Sequence, residues 1–490
     1  MKKTVGVTVV VHLAVWLMSA LLYSRVVYAD ELSTEIAAAK SPPNSNYQQQ
    51  LTQLLTALTD VTAVPAFSVA VVHKGELVAA VATGQADTES QQAVTPAHLF
   101  RLASVSKVIG ATMLAQLVLD NKLDPDQPIG LYYPQLDNKY HAITTRQLLA
   151  HTSGMPHYQA LDYDIGNTHY SSALLAVNTL KSRALLSAPG QAYSYSSHGY
   201  TLAGALYEKI TAQPLVQSIP QFVAAYTGKS SPLIEDIRAL QPMAVSLYER
   251  AGRQMEKRPY GEMSYSVFGA GLSATAGDLA YFGAAVLQQS RASAAFNQLL
   301  FTPVKLQNGS DAGTTQYQLG FGWRIGTTTA GRTVYHHAGT NPGARSVILL
   351  YPDDDLSITL LSNSSWVSSI EQTADALASL YLSGAAAKPL HNTKRYTLHY
   401  EGASSSGQTS CRAQQCYLTD EQSALASWLN RFNPTRQDNS NWPLYRYSSA
   451  QGEQLILVSK IGFIQLAAAN SSGRFDGMVS GNKPLSITLH

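Results

Sequence analysis

Apolar positions along the chain fall into two kinds of run. Phe67-Ser68-Val69-Ala70-Val71-Val72 and Glu76-Leu77-Val78-Ala79-Ala80-Val81 are short, rich in β-formers and separated by His73-Lys74-Gly75. Two such runs around a Gly-containing loop predict a β-hairpin. From residue 104 to 121 the period changes, and Val108, Ile109, Met113, Leu114, Leu117 and Val118 recur at three- and four-residue steps. That spacing predicts a helix apolar enough to be largely buried. Between about 144 and 289, helical patterns are broken by Gly and Pro, with no clear strand series. Strand-like runs return at 320–325, 346–350 and 356–361, before a helix whose stripe is Trp366, Ile370, Thr373, Leu377 and Tyr381. Strands, a helical block, strands and a closing helix predict an α+β domain with a helical insertion.

The pattern changes again at Ser383-Gly384-Ala385-Ala386-Ala387-Lys388-Pro389, which reads as a linker. Beyond it, short β-like runs at 396–400, 454–459, 462–467 and 485–489 predict a small β-rich domain. At the other end, Met1-Lys2-Lys3 precedes an apolar stretch from 5 to 22 and Val27-Tyr28-Ala29. This reads as a secretory signal cleaved after Ala29; the apolar run approaches the roughly 20 residues that span a bilayer, so an uncleaved anchor is the alternative. The expected organisation is a signal at 1–29, a linker at 30–50, a principal domain at 51–383 and the β-rich domain at 384–490. A membrane partner is expected only if the N-terminal segment stays uncleaved.

Charge narrows the function classes. The 490 residues carry 34 Lys+Arg and 32 Asp+Glu, a net charge of +2, and only 13% are charged, against a usual figure of about 25%. So balanced a chain has no field to attract a polyanion, and no nucleic-acid partner is expected. With 45% apolar residues it can bury a large core, which also excludes disorder. The two cysteines, Cys411 and Cys416, are expected to close a small disulfide loop in an exported protein. No zinc ligands follow them at finger-like spacing. His336-His337 lacks the surroundings of a metal motif, and neither Gly269-x-Gly271 nor Gly320-x-Gly322 extends to a dinucleotide fingerprint. No metal or organic cofactor is expected.

A serine becomes a nucleophile only if something takes its proton, and a lysine three residues along a helix lies on the same face. Ser-x-x-Lys occurs at Ser104–Lys107 and at Ser480–Lys483. The second lies in a Gly/Asn/Pro turn and is read as chance. The first opens the buried helix, where loss of solvent would lower the lysine's pKa and free a proton-accepting amine. Taken alone, the pair reads as an N-cap serine and a surface lysine.

Its company changes that reading. Phe100-Arg101-Leu102-Ala103-Ser104-Val105-Ser106-Lys107 is followed by Leu148-Leu149-Ala150-His151-Thr152-Ser153-Gly154-Met155-Pro156 and by Pro189-Gly190 with Tyr195-Ser196-Ser197-His198-Gly199-Tyr200. Then come Gly269-Ala270-Gly271-Leu272-Ser273-Ala274-Thr275-Ala276-Gly277-Asp278-Leu279, Gly320-Phe321-Gly322-Trp323 and His337-Ala338-Gly339-Thr340-Asn341-Pro342-Gly343. In this order the blocks resemble the serine β-lactamase and penicillin-binding-protein superfamily, in its class C β-lactamase-like branch of esterases and D-amino-acid peptidases, from about Val64 to Tyr381. The resemblance implies an antiparallel sheet flanked by helices with an all-helical subdomain. It makes Ser104 the nucleophile, Lys107 its proton partner and Tyr195 a general base or relay, with the neighbouring Tyr193 as rival. His337 takes the first position of the family's Lys-Thr-Gly block. The backbone N–H groups of Ser104 and Thr340 would form the oxyanion hole, and Ser197 and Gly339 would lie among the substrate-binding groups.

Two departures from the family pattern bear on substrate. Ser197 stands where the family has asparagine, and a hydroxyl reaches less far than an amide. His337 replaces a lysine, so a fixed positive charge for a substrate carboxylate is gone. Arg345 is expected to be a surface arginine rather than a substitute. The expectation is an exported serine hydrolase acting through an acyl-enzyme on an amide, peptide or ester, including D-amino-acid-containing and peptidoglycan-like substrates. The alternatives are β-lactamase or D,D-carboxypeptidase activity, or a catalytically weak penicillin-binding-type sensor.

Overall fold

The computed structural model describes residues 45–159, 165–229, 232–328, 330–412, 415–419, 423–432, 441–449, 452–469, 473–480 and 482–490. The expected signal at 1–29 and most of the 30–50 linker lie outside the described residues. A helix, α1 (Ser45–Thr62), begins inside that expected linker. Its Tyr47, Leu51, Leu54, Leu55 and Leu58 form a buried stripe.

The hairpin forms as expected from β1 (Ala66–His73) and β2 (Glu76–Asp87), with β3 (Gln92–Ala93) at the edge. After the helical block the chain returns with β4 (Tyr317–Leu319), β5 (Arg324–Thr327), β6 (Thr333–Asn341), β7 (Ala344–Tyr351) and β8 (Leu356–Ser362). The sheet order is β3-β2-β1-β8-β7-β6-β5-β4, so the first and last segments of the domain meet at its centre. Phe67 lies opposite Ser362 and His73 opposite Leu356. The central strands are buried on both faces: Val69, Val71, Ile358 and Leu360 join one core, while Ala70, Val72 and Leu361 join the other. This explains why they read as continuous apolar runs rather than alternating ones. Of the expected strand at 320–325, only Arg324 and Ile325 are in a strand, β5, and 320–323 form the turn between β4 and β5. Gly322 has φ +86°, and a Cβ there would sit 2.3 Å from that of Ala111, so the turn tucks Phe321 and Trp323 into the core.

Helix α2 (Ser106–Leu119) is buried along nearly its whole length. It packs with α3 (Ser197–Thr211) and α4 (Ala276–Ala292) in the core on one face of the sheet. Helices α1 and α5 (Ile370–Ser383) cover the other face. The helical block also contains short strands that its sequence did not signal, at Leu233–Ile234, Leu247–Ala251, Gln254–Arg258 and Leu272–Ala274.

The C-terminal part is a second antiparallel sheet: β9 (Arg395–Tyr400), β10 (Ala403–Gln408), β11 (Ser410–Arg412), β12 (Gln415–Thr419), β13 (Asn441–Ser449), β14 (Gly452–Ser459), β15 (Gly462–Ala468), β16 (Arg474–Val479) and β17 (Lys483–Leu489). The order is β10-β9-β17-β16-β15-β14-β13-β12-β11, with Lys388–Pro389 pairing on β13 and a helix, α6 (Ala424–Phe432), between β12 and β13 in the chain. Cys411 and Cys416 lie opposite each other on β11 and β12 and are joined as a disulfide. Among the described residues no helix is long and apolar enough to cross a membrane.

The two sheets share a core. Leu377 and Ile370 of α5 lie in the same apolar cluster as Leu444, Phe463 and Ile464. Hydrogen bonds pin the contact: Ser369 N–H donates to Ile461 O at 2.9 Å, and Phe463 N–H donates to Thr373 Oγ1 at 2.9 Å. The tyrosine hydroxyl of Tyr47 donates to Leu377 O at 2.8 Å. Phe463→Ala should therefore cost about 3–5 kcal/mol of stability, as for a large core side chain. Chemical denaturation of the full chain measures it, and a loss under about 1 kcal/mol contradicts the shared core.

Candidate active site

Ser104 sits in a single 3-10 turn (Ala103–Val105) that runs into α2. The residue before it, Ala103, is buried and holds φ +47°, a left-handed backbone that a non-glycine residue adopts at a cost. Two flanking strands fix this turn: Leu102 N–H donates to Leu272 O at 2.8 Å, and Ser346 Oγ–H of β7 donates to Leu102 O at 2.5 Å. Ser104 itself is partly exposed.

Lys107, one turn on, has no solvent exposure. Its Nζ lies 3.1 Å from Ser104 Oγ, 3.0 Å from Ser197 Oγ and 2.6 Å from Gly269 O. It also stands over the rings of Tyr195 and Tyr200, at 5.0 and 5.4 Å from their centroids. These partners are neutral oxygens and aromatic faces, not carboxylates. Burial pushes the ammonium below its ordinary value, and the Tyr195 phenol, which hydrogen-bonds it, opposes the shift. Gly269 leaves room here for Ser266, whose Oγ would lie 2.1 Å from a Cβ.

Tyr195 precedes α3, whose N-cap Ser196 accepts from Gly199 N–H at 2.9 Å. The 151–157 segment cradles this turn: Ser196 Oγ–H donates to Pro156 O at 2.7 Å, and Ser196 N–H donates to His151 Nδ1 at 3.1 Å. The His151 ring packs 4.3 Å from that of Tyr195. Burial alone would push the phenol up. The charges of Lys107 and Arg324, with hydrogen bonds from Lys107 and Ser104, outweigh it and hold Tyr195 below its ordinary value. Tyr193 takes no part in this network; its hydroxyl is 3.4 Å from that of Tyr317.

Strand β6 brings up the opposite wall. Its ladder with β5 ends at the Arg324–His336 pair, so its following residues keep one edge free of β5 and run past Ser104. A Cβ on Gly339 would lie 2.4 Å from Leu102 O and 2.9 Å from Ser104 N, so only glycine allows this approach. Thr340, next along, is exposed. His337 is buried, and its Nδ1–H donates to Ala338 O at 2.8 Å. Burial, then the charges of Arg324 and Lys107, drive its pKa far down, so the imidazole is neutral. His336, adjacent on the strand, faces the other way and stacks edge-on with Tyr317.

The structure thus brings Ser104, Lys107, Tyr195, Ser197, His337, Gly339 and Thr340 together. Two expectations change. Ser197 is buried with its hydroxyl on Lys107, so it faces the lysine rather than substrate. Arg345 is not a free surface arginine: Nε donates to Val367 O at 3.0 Å and Nη2 to Ser368 O at 2.9 Å, with Nη1 on Thr340 Oγ1. Ser480 and Lys483 form no such pair; Lys483 is bound to Glu401. The sequence did not single out Arg324, which lies over the Tyr317 ring at 4.5 Å, or His157, whose ring meets Tyr195 edge-on at 5.2 Å. Among the described residues no group of three or more His, Cys, Asp or Glu is placed to hold a metal ion.

Comparison with known proteins identifies the family and the fold. A penicillin-binding protein of Bacillus subtilis (strain 168) is 25% identical over 298 residues, 57% of this chain and 64% of that protein, so the match spans just under two thirds of its length. Esterase EstB of Burkholderia gladioli is 30% identical over 181 residues, 32% of this chain and 44% of its own. The solved structure of D-amino acid amidase from Ochrobactrum anthropi SV3 complexed with L-phenylalanine shares the fold, with a TM-score of 0.54 at 22% identity over 66% of this chain and 92% of that one. A β-lactamase family model matches residues 51–382, which contain the whole eight-stranded sheet and its helical block, and the chain belongs to the β-lactamase family.

Proposed function

We propose that the protein is an exported serine hydrolase that cleaves esters, amides or peptides through an acyl-enzyme on Ser104. The observation that carries this is the buried Lys107, 3.1 Å from Ser104 Oγ, with the Tyr195 phenol on the same network. In the first half-reaction the Ser104 Oγ–H proton passes to the Lys107–Tyr195 pair as the Oγ–carbonyl carbon bond forms. The N–H groups of Ser104 and Thr340 receive the developing oxyanion. As the tetrahedral centre collapses, the bond to the leaving group breaks and Tyr195 returns the proton to it. Water then attacks the acyl carbon, giving its proton to Tyr195; the Oγ–acyl bond breaks, Tyr195 passes that proton to Ser104 Oγ, and the acid is released.

Three observations support the substrate class. The neutral His337 offers no fixed charge for a carboxylate. Arg345 is held by backbone carbonyls, and Arg324 lies 3.8 Å from Glu371. Esters and amides without an essential free carboxylate fit this wall best. Relatives named as a penicillin-binding protein and an esterase support acyl transfer from an ester or amide, and D-amino-acid-containing, peptidoglycan-like substrates are the physiological class we propose. Export is supported by the disulfide and by the N-terminal sequence.

Ser104→Ala should lower kcat for a model ester by about 10^4-fold or more, as loss of a nucleophile does. The group is partly exposed, so stability should change by no more than about 0.5 kcal/mol. Steady-state kinetics and denaturation together test this, and retained turnover rejects the assignment.

The pH profile is a second test. Lys107 and Tyr195 are both held below their ordinary values of 10.5 and 10.0. A base that must be deprotonated gives a kcat/KM that rises with pH, and the midpoint belongs to the coupled pair. The rising limb should therefore lie below 10.0, and Tyr195→Phe should shift it. A limb at the ordinary lysine value, unmoved by that substitution, contradicts the proposal.

A further inference from the structure

We propose that His157 is a substrate-binding residue: its Nε2–H donates a hydrogen bond to a carbonyl oxygen on the acyl side of the substrate, favouring N-acylated amino-acid esters and peptides over simple aliphatic esters. This deepens the hydrolase reading and rests on it. His157 follows Pro156, whose carbonyl is bound by the N-cap of α3, and it is exposed. Its ring meets that of Tyr195 edge-on, with 5.2 Å between centroids and an 89° interplanar angle, so it stands on the exposed side of the tyrosine that serves Ser104. On its other side it stacks at 4.8 Å on Tyr158, whose hydroxyl donates to Ser266 Oγ at 2.8 Å and so anchors the platform.

The tautomer follows from the partner. The backbone N–H of Ser197 lies 3.3 Å from His157 Nδ1. A backbone N–H can only donate, so Nδ1 accepts, and the proton of the neutral ring is on Nε2. Partial burial, then the charges of Lys107 and His198, hold the imidazole at a pKa of about 4, which keeps it neutral near pH 7.

The need for such a donor arises at Ser197. That position carries an amide in the family this chain resembles, but here it carries a hydroxyl that is buried and bound to Lys107. Its short hydroxyl is held at the lysine and out of solvent, so it does not reach substrate as an amide would. His157, held by the backbone of the same residue, puts a polar N–H at the rim beside it. A ligand with a second carbonyl three bonds from the scissile carbonyl carbon, as in an N-acyl amino acid, can use that N–H. An alkyl ester cannot.

The test compares N-acetyl-D-alanyl and butyryl p-nitrophenyl esters with the wild type, His157→Phe and His157→Gln. The readout is the ratio of the two kcat/KM values, which cancels any general loss of catalytic competence. His157→Phe, which keeps the ring but removes the donor, should lower the ratio about tenfold, the scale of one lost hydrogen bond that leaves a partner unsatisfied. His157→Gln should recover most of it. An unchanged ratio in His157→Phe overturns the role of His157 while leaving the hydrolase reading intact. Absence of Ser104-dependent turnover of either ester overturns both.

Discussion

Taking an ammonium group out of water without a counter-ion costs several kcal/mol even after the protein relaxes, and Lys107 is buried among oxygens that carry no formal charge. Three ways of relieving that cost are open: the lysine gives up its proton, an adjacent acid gives up its own, or one proton is shared. Tyr195 is the acid within reach, and each group draws the other's pKa. Around them are His151, His157 and His337, all driven toward the neutral form by burial and by the positive charge nearby. The site therefore sets a lysine and a tyrosine against each other for a proton, beside neutral histidines and the charge of Arg324.

Everything that positions this pair is a matter of close approach. The left-handed Ala103 turns Ser104 toward the opening, Gly269 lets a carbonyl reach Nζ, and Gly339 lets β6 run against the backbone N–H of Ser104. The β5 ladder stops at His336, so the edge of β6 that meets Ser104 is clear of it. Below, the sheet is clamped between two cores, and the face away from the site is completed by α1, α5 and the C-terminal strands. The C-terminal part thus contributes to the rigidity of the sheet that carries His337, Gly339 and Thr340.

Much of this was legible in the sequence where chemistry is local. Ser104 and Lys107 are three residues apart on one helix, and the hairpin at 66–87 carries its own turn. Tyr195 was separable from Tyr193 only by its distance from neighbouring blocks, which the packing against Lys107 explains. The helix at 45–62 has a regular leucine stripe, but it begins within a polar, Pro-containing stretch that reads as a linker. Strand β10 is nearly all Ser, Gly and Gln with exposed side chains, so it carries no apolar alternation to read. The surroundings of Arg345 and Ser197 are not legible locally because their partners, Val367 and Lys107, are distant in sequence. Burial and hydrogen bonding of that kind are set by tertiary structure, as is the contact of His157 with a backbone 40 residues away.

The central claim is that Ser104, activated by a buried lysine, takes the acyl group. Rapid-quench intact-mass measurement of the full chain mixed with an activated ester, followed by peptide mapping, tests it most directly. The expected result is a gain of one acyl group per chain, on the peptide containing Ser104, that disappears with time and is absent from Ser104→Ala. A folded protein that hydrolyses the ester with no covalent acyl intermediate, or that carries the acyl group on another residue, would contradict the account.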